Sequence, residues 1–223
     1  MPPFLNQAEL RVLGCLLEKE VLTPEAYPLT LNSLRLACNQ KTSREPVLEL
    51  SEGDVSAALN GLKGRDLVFA RTDARATKYN HTLEKVGAFN GAQKALITLL
   101  LLRGPQTAGE LRGRSERLYE FATPAEADEA LSSLAHYQDG PWVQRLERRP
   151  GEKEARWKHL LDGDVSVADV IEAEARSQAH EVEAKADALT LRVESLEREV
   201  AVLRQVVKAL EDRQSAKHLD AQA

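Results

Sequence analysis

SEGDVSAALNGLKGRDLVFARTDARATKYNH, residues 51–81, has the order helix, strand, turn, strand. Ser51 with Asp54 three residues on is a capping-box start, Asp standing in for the usual Glu or Gln. Val55, Ala58, Leu59 and Leu62 recur at helical spacing and give one apolar stripe. Gly64 ends the helix, and Leu67 to Arg71 reads as a strand. Thr72 to Ala76 is polar enough for a turn, and Thr77 to His81 returns as the second strand. A helix followed at once by a short hairpin is the back half of a winged helix.

The order recurs at Thr123 to His159. Thr123-Pro124 with Glu126 reads as a capping box with proline at the first helical position. Ala127, Ala130, Leu131 and Leu134 repeat the spacing of Val55, Ala58, Leu59 and Leu62. Trp142 to Leu146 and Ala155 to His159 are the matching strands, joined through Arg148 to Glu152. Upstream, Asn6 with Glu9 opens a first helix whose expected buried stripe is Leu10, Leu13, Leu17 and Val21, with Leu5 as a staple partner for Leu10. Asn90 with Gln93 repeats that box 84 residues later, and Leu96, Ile97, Leu100 and Leu101 take the places of Val12, Leu13, Leu16 and Leu17. Thr30 caps a second helix in the first copy, and Thr107 with Glu110 caps one in the second.

The fold class is therefore mainly α with small β-hairpins (α+β): tandem winged-helix domains at residues 1–88 and 89–161, then a long C-terminal helix or coiled coil over 162–223. In that last segment Leu189, Val193, Leu196, Val200, Leu203, Val207 and Leu210 alternate at spacings of four and three. Val at a and Leu at d favours two parallel strands, so the heptads predict a homodimer, with Arg192 facing Glu197 and Glu199 facing Arg204 across it. A single amphipathic helix packing back on the globular part fits the same pattern.

Aromatic residues make up only 4%, so the cores rest on Leu, Val and Ala. The net charge of −5 is unevenly placed. Residues 1–88 hold eleven basic and eleven acidic side chains, 89–161 eleven and ten, and 162–223 eight and fourteen. The acidity sits in the tail and says little about what the first two segments meet. Cys15 and Cys38 fall inside helical apolar patterns and read as buried thiols in a reducing compartment, rather than a disulfide or a metal pair. The longest apolar run, Ala95 to Leu102, is too short to span a bilayer, and no apolar leader begins the chain. A cytoplasmic protein without membrane contact is expected.

One signature in the first copy is long and specific. Thr23-Pro24, Tyr27-Pro28-Leu29-Thr30-Leu31-Asn32-Ser33-Leu34, Ala37-Cys38-Asn39-Gln40-Lys41, Arg44-Glu45-Pro46-Val47 and Leu50-Ser51-Glu52-Gly53 together resemble the YceH family of uncharacterised bacterial proteins. The resemblance runs from about Leu5 to the end of the heptads and implies a tandem winged-helix fold with a C-terminal coiled segment. It implies no activity. At Thr42-Ser43 the chain departs from the Ser-Asn of the family pattern.

Winged helices lay their third helix in the DNA major groove and the wing along the backbone. The third helix of the first copy offers Asn60 as a base reader with Lys63 and Arg65 beside it, whereas Glu52 and Asp54 occupy the end where phosphates normally come. In the second copy Glu126, Asp128 and Glu129 make the helix acidic, which marks it as a packing element. Arg71, Arg75 and Lys78 cluster in the first wing; Arg145, Arg148, Arg149, Lys153, Arg156 and Lys158 cluster in the second. Lys41 and Arg44 lie in the polar connector before the third helix and are further phosphate candidates. A dimeric DNA-binding or regulatory protein is the first expectation. A protein-interaction scaffold using the modules as adaptors is the alternative, motivated by their near-neutral charge. No enzyme, metal or cofactor is expected: His81, His136, His159, His180 and His218 are scattered, and the chain has no glycine-rich phosphate loop or nucleophile elbow.

Overall fold

The computed structural model describes residues 3–72, 76–148 and 151–162. The heptad residues Leu189 to Leu210, and with them the expected dimer seam, lie outside the described residues, as do Arg75 and Arg149.

Mixed helices and small antiparallel sheets recur in one order, twice. α1 (Gln7–Leu22), β1 (Leu29–Thr30), α2 (Leu31–Cys38), α3 (Glu52–Gly64), β2 (Val68–Thr72) and β3 (Thr77–His81) make the first repeat. α4 (Gly91–Arg103), β4 (Gln106–Thr107), α5 (Ala108–Ser115), α6 (Pro124–Ala135), β5 (Val143–Arg145) and β6 (Arg156–His159) make the second. Each repeat carries a three-stranded sheet in which the strand after the first helix joins the edge of the hairpin, in the orders β1-β3-β2 and β4-β6-β5. Two-residue strands are too short to show alternation, so β1 and β4 are invisible to pattern reading.

Helix starts follow the predicted side chains. Asn6, Ser51, Asn90 and Thr107 each accept from the backbone N–H three residues on, and Glu9, Asp54, Gln93 and Glu110 return the bond. At α6 the box opens differently. Thr123 accepts from the Glu126 N–H, but the Glu126 carboxylate reaches one residue further back, to the Ala122 N–H at 2.8 Å. Pro124 still occupies the first turn.

The register of the two sheets matches pair for pair. Val68 opposes His81 and Val143 opposes His159; Ala70 opposes Tyr79 and Arg145 opposes Trp157. On the other side of the central strand, Leu29 and Thr30 oppose Tyr79 and Lys78, while Gln106 and Thr107 oppose Trp157 and Arg156. Because side chains alternate along a strand, Val68, Ala70, Tyr79 and His81 share one face and Phe69, Arg71, Lys78 and Asn80 the other.

The two repeats are joined through their first helices. Every residue of α1 from Glu9 to Glu18 is buried, as is every residue of α4 from Ala95 to Leu102. A helix buried on all sides is walled by other elements rather than half-solvated. This is why Val12, Cys15 and Leu16 are as buried as the predicted stripe, whereas Val21, in the last turn, is 47% exposed. Gly14 is the contact point. A Cβ there would lie 2.9 Å from Leu102 Cδ2 and 3.1 Å from Leu101 Cβ. Backbone bonds add to the seam: the Leu5 N–H donates to Leu161 O at 2.6 Å and the Glu45 N–H to Leu102 O at 2.8 Å. Residues 1–164 accordingly form one compact unit with one continuous apolar core, although the repeat boundary falls near residue 88. Cys15 and Cys38 are both free thiols within that core. Among the described residues no helix is long and apolar enough to cross a membrane.

Candidate nucleic-acid interface

The predicted phosphate-binding residues of the first repeat fall on two surfaces: Lys63 and Arg65 at the C-terminal end of α3, by the Tyr79 face of the sheet, and Arg71 and Lys78 on the opposite, outward face of the β2–β3 hairpin. Asn60 is exposed on α3, one turn before Lys63 and Gly64. Lys63 lies over the Tyr79 ring, its ammonium 5.1 Å from the ring centre, so that its charge is held at the junction of helix and sheet. Arg65 caps the end of α3. Its guanidinium donates to the Gly61 carbonyl at 2.9 Å and to Glu9 Oε1 of α1 at 2.9 Å. That ion pair anchors Arg65 while leaving its side chain 40% exposed.

On the hairpin, Arg71 and Lys78 are directly opposed across the strands, on the face that points away from the core. Phe69 and Asn80 are the next opposed pair on that same face, and Phe69 is 54% exposed. An aromatic side chain beside a pair of cations is a surface on which a nucleotide can stack and a phosphate can be held. Sequence reading passed over Phe69. The signal was there: once Val68 is turned inward by the core, alternation turns Phe69 outward.

Arg44 sits differently from the phosphate contact expected of it. Its side chain is wholly buried and forms a two-pronged bond to Glu18, at 3.0 Å and 2.7 Å, with further bonds to Ala37 O, Ser43 O and Gln40 Oε1. Burial alone would push the Glu18 carboxyl up, but the bonds and charge of Arg44, with Lys19 alongside, hold it below the ordinary carboxylate range. Arg11 reinforces the connector from α1, donating to Cys38 O and Pro46 O. Arg44 is thus the peg that fixes the connector on α1. Lys41, three residues earlier, is exposed. It lines a cleft of about 420 Å³ together with Arg35, Asn39, Val47, Leu48 and Leu50.

The second hairpin engages part of its charge internally. Arg156, the counterpart of Lys78, donates to Glu110 Oε2 at 3.1 Å, to Glu152 Oε1 at 3.3 Å and to the Pro105 carbonyl. Arg145 lies 5.8 Å from the centre of the Trp157 ring. Trp157 donates in turn to Asp128 of α6 at 3.1 Å, so one of the acidic side chains of that helix serves its own sheet. Lys158 is buried, while Arg148 and Lys153 are exposed in the hairpin loop. Among the described residues no group of three or more His, Cys, Asp or Glu side chains could hold a metal ion.

Comparison with known proteins gives the chain a family. The family model described as "Protein of unknown function, DUF480" matches residues 5–152. A UPF0502 protein of Chromobacterium violaceum is 49% identical over 211 residues, covering 94% of this chain and 91% of its own length. One from Yersinia pseudotuberculosis serotype O:1b is 47% identical over 94% of both chains. The UPF0502 protein YceH of Escherichia fergusonii is 47% identical over 92% of this chain and 95% of its own. Family model and full-length relatives agree with the signature around Tyr27 to Gly53: the chain belongs to the DUF480 (UPF0502) family.

Proposed function

We propose that each repeat is a winged helix and that the protein binds duplex DNA through the first of them. In this reading α3 approaches the groove with Asn60 and Lys63, and the β2–β3 hairpin lies along the backbone. The observation that carries it is the outward hairpin face, where Arg71 and Lys78 sit opposite one another beside an exposed Phe69. Glu52 and Asp54 stand at the start of α3, so the contacts fall on its C-terminal half and on the hairpin. Arg65 adds charge at the end of α3. The heptads of residues 189–210 would pair two chains, and paired chains would read paired half-sites.

Fluorescence anisotropy on a mixed-sequence duplex, repeated across a salt series, tests the interface. Lys78→Ala is expected to weaken binding on all sequences alike and to lower the salt slope by about one. Binding indifferent to salt, or to removal of Lys78, would end the proposal. Light scattering with and without residues 165–223 tests the pairing.

A second reading, a protein-interaction adaptor, is favoured by exposed apolar side chains elsewhere in the first repeat. Leu36 on α2 is 57% exposed and Val47 in the connector 50% exposed, the latter on the wall of the cleft that Lys41 lines. Partners recovered from nuclease-treated lysate, and lost on Val47→Asp, would favour that reading over DNA.

A further inference from the structure

We propose that His159 and Asp162 form a proton-operated latch: proton uptake at His159 loosens the chain just after β6, which pins the N-terminal segment at Leu5. The latch stands apart from DNA binding. His159 is the last residue of β6 and is 7% exposed. Its Nδ1 has no hydrogen-bond partner among the described residues, and neither has the buried Oδ1 of Asp162. The two atoms lie 3.8 Å apart, too far for a hydrogen bond and near enough for a charge to be felt. Among the described residues, three of the four buried side-chain polar atoms without a partner are at this end of the second repeat: these two and Trp142 Nε1. Buried polar groups are as a rule hydrogen-bonded, so the concentration asks for a cause.

His81, the equivalent residue of the first repeat, shows what is missing. Its Nε2 meets Glu20 at 2.8 Å and its Nδ1 accepts from the Leu83 N–H at 3.2 Å. After His159 the chain bonds elsewhere. The Leu160 N–H donates to Trp142 O at 2.9 Å, and Leu161 O accepts from the Leu5 N–H at 2.6 Å. Burial pushes the His159 imidazole below its ordinary range, the Asp162 carboxylate opposing that shift and Lys158 adding to it. Charges on the neighbouring elements are engaged elsewhere. β5 sets Val143 opposite His159 and holds Arg145 over Trp157, while Asp128 of α6 takes the Trp157 indole. Glu110 of α5 and Glu152 of the hairpin loop hold Arg156, and α4 is uncharged from Ala95 to Leu102. An imidazolium here has one carboxylate to meet and Lys158 to repel it. Because the folded pKa lies below the unfolded one, His159 stabilises the closed form above about pH 6.5, and that contribution is lost as pH falls toward the folded pKa. Opening the Leu160 and Leu161 bonds lets the charged ring reach water.

The test follows amide hydrogen exchange at Leu5 in the full chain, with the emission of Trp142 and Trp157, its two tryptophans, as a second readout. The window runs from about pH 7.5 to about pH 5.5, above the carboxylate range. After correction for the intrinsic exchange rate, protection at Leu5 is expected to fall about tenfold for each unit by which the folded imidazole is depressed, and the emission to change with it. In His159→Leu both readouts are expected to be indifferent to pH across the window. Should that variant fold poorly by circular dichroism, His159→Gln keeps a polar side chain without the titrating ring and should behave alike. Asp162→Asn removes the counter-charge, so its loss of protection is expected to be at least as large as that of the native chain. Native protection that is flat with pH, a loss that survives replacement of His159, or a smaller loss in Asp162→Asn would overturn the latch.

Discussion

The two sheets share a register, and position by position they treat charge in opposite ways. Lys78 and Arg156 occupy equivalent places on the central strands. The first faces outward next to Arg71, whereas the second is clasped by Glu110 and Glu152. Tyr79 and Trp157 are likewise equivalent, and each lies under a cation, but the ties differ: Lys63 comes from α3, whereas Arg145 is on β5 and Trp157 reaches α6 by a hydrogen bond to Asp128. His81 has both ring nitrogens bonded, Nε2 with Glu20 and Nδ1 with the Leu83 N–H, while His159 Nδ1 is buried with no hydrogen-bond partner among the described residues, Asp162 Oδ1 lying 3.8 Å away. The two repeats share a backbone pattern but not the side chains placed on it. On the central strand, the first sheet faces Lys78 outward and the second clasps Arg156 with carboxylates.

The largest divergence is polar, and breaking it should cost most. Glu18 in α1 lies 84 residues before Leu102, its counterpart in α4, so the Glu18–Arg44 pair has an apolar equivalent in the second repeat. Arg44→Ala would leave a buried carboxylate without its partner and is expected to destabilise the protein by about 3–5 kcal/mol in denaturant unfolding. A loss within the range of a surface substitution would show that the connector stands without its peg.

Acid should reveal the same pair. The folded pKa of Glu18 lies below its unfolded value, so its contribution is present above about pH 4.5 and lost as pH falls through the folded pKa. Stability measured from pH 6 downward is therefore expected to fall more steeply in the native chain than in Glu18→Gln.

Where the repeats meet, Gly14→Val would drive a branched side chain into Leu101 and Leu102. An overpacking cost of about 1–3 kcal/mol is expected, with smaller damage from Gly14→Ala. The smallest effect lies in the second sheet. Asp128→Ala removes the acceptor of the Trp157 indole and should cost about 1 kcal/mol. A loss several times larger would mean that α6 is held to its sheet chiefly by that bond.

Much of this frame could be read from the chain. The boxes at Asn6, Ser51, Asn90 and Thr107 are local, and local chemistry is what sequence spacing records. Strand β3 was legible from Thr77 to His81 because a polar turn precedes it and a strand partner lies just upstream. Arg44 was not legible. In a polar connector of Asn, Gln, Lys, Thr and Ser it looks solvated, and only the approach of α1, 26 residues earlier in the chain, turns it inward. The bond from Arg103 to Ser43 was missed for a related reason, since it exists only once the two repeats pack. Pattern reading finds what a segment does for itself and overlooks what distant segments do together.

The close approach at Gly14 also governs how the molecule melts and how it can be cut. With α1 and α4 serving as each other's wall, the halves should lose structure in a single cooperative step. Severing the chain between residues 88 and 89 would strip each piece of that cover and leave two greasy fragments, prone to clump unless they find each other again.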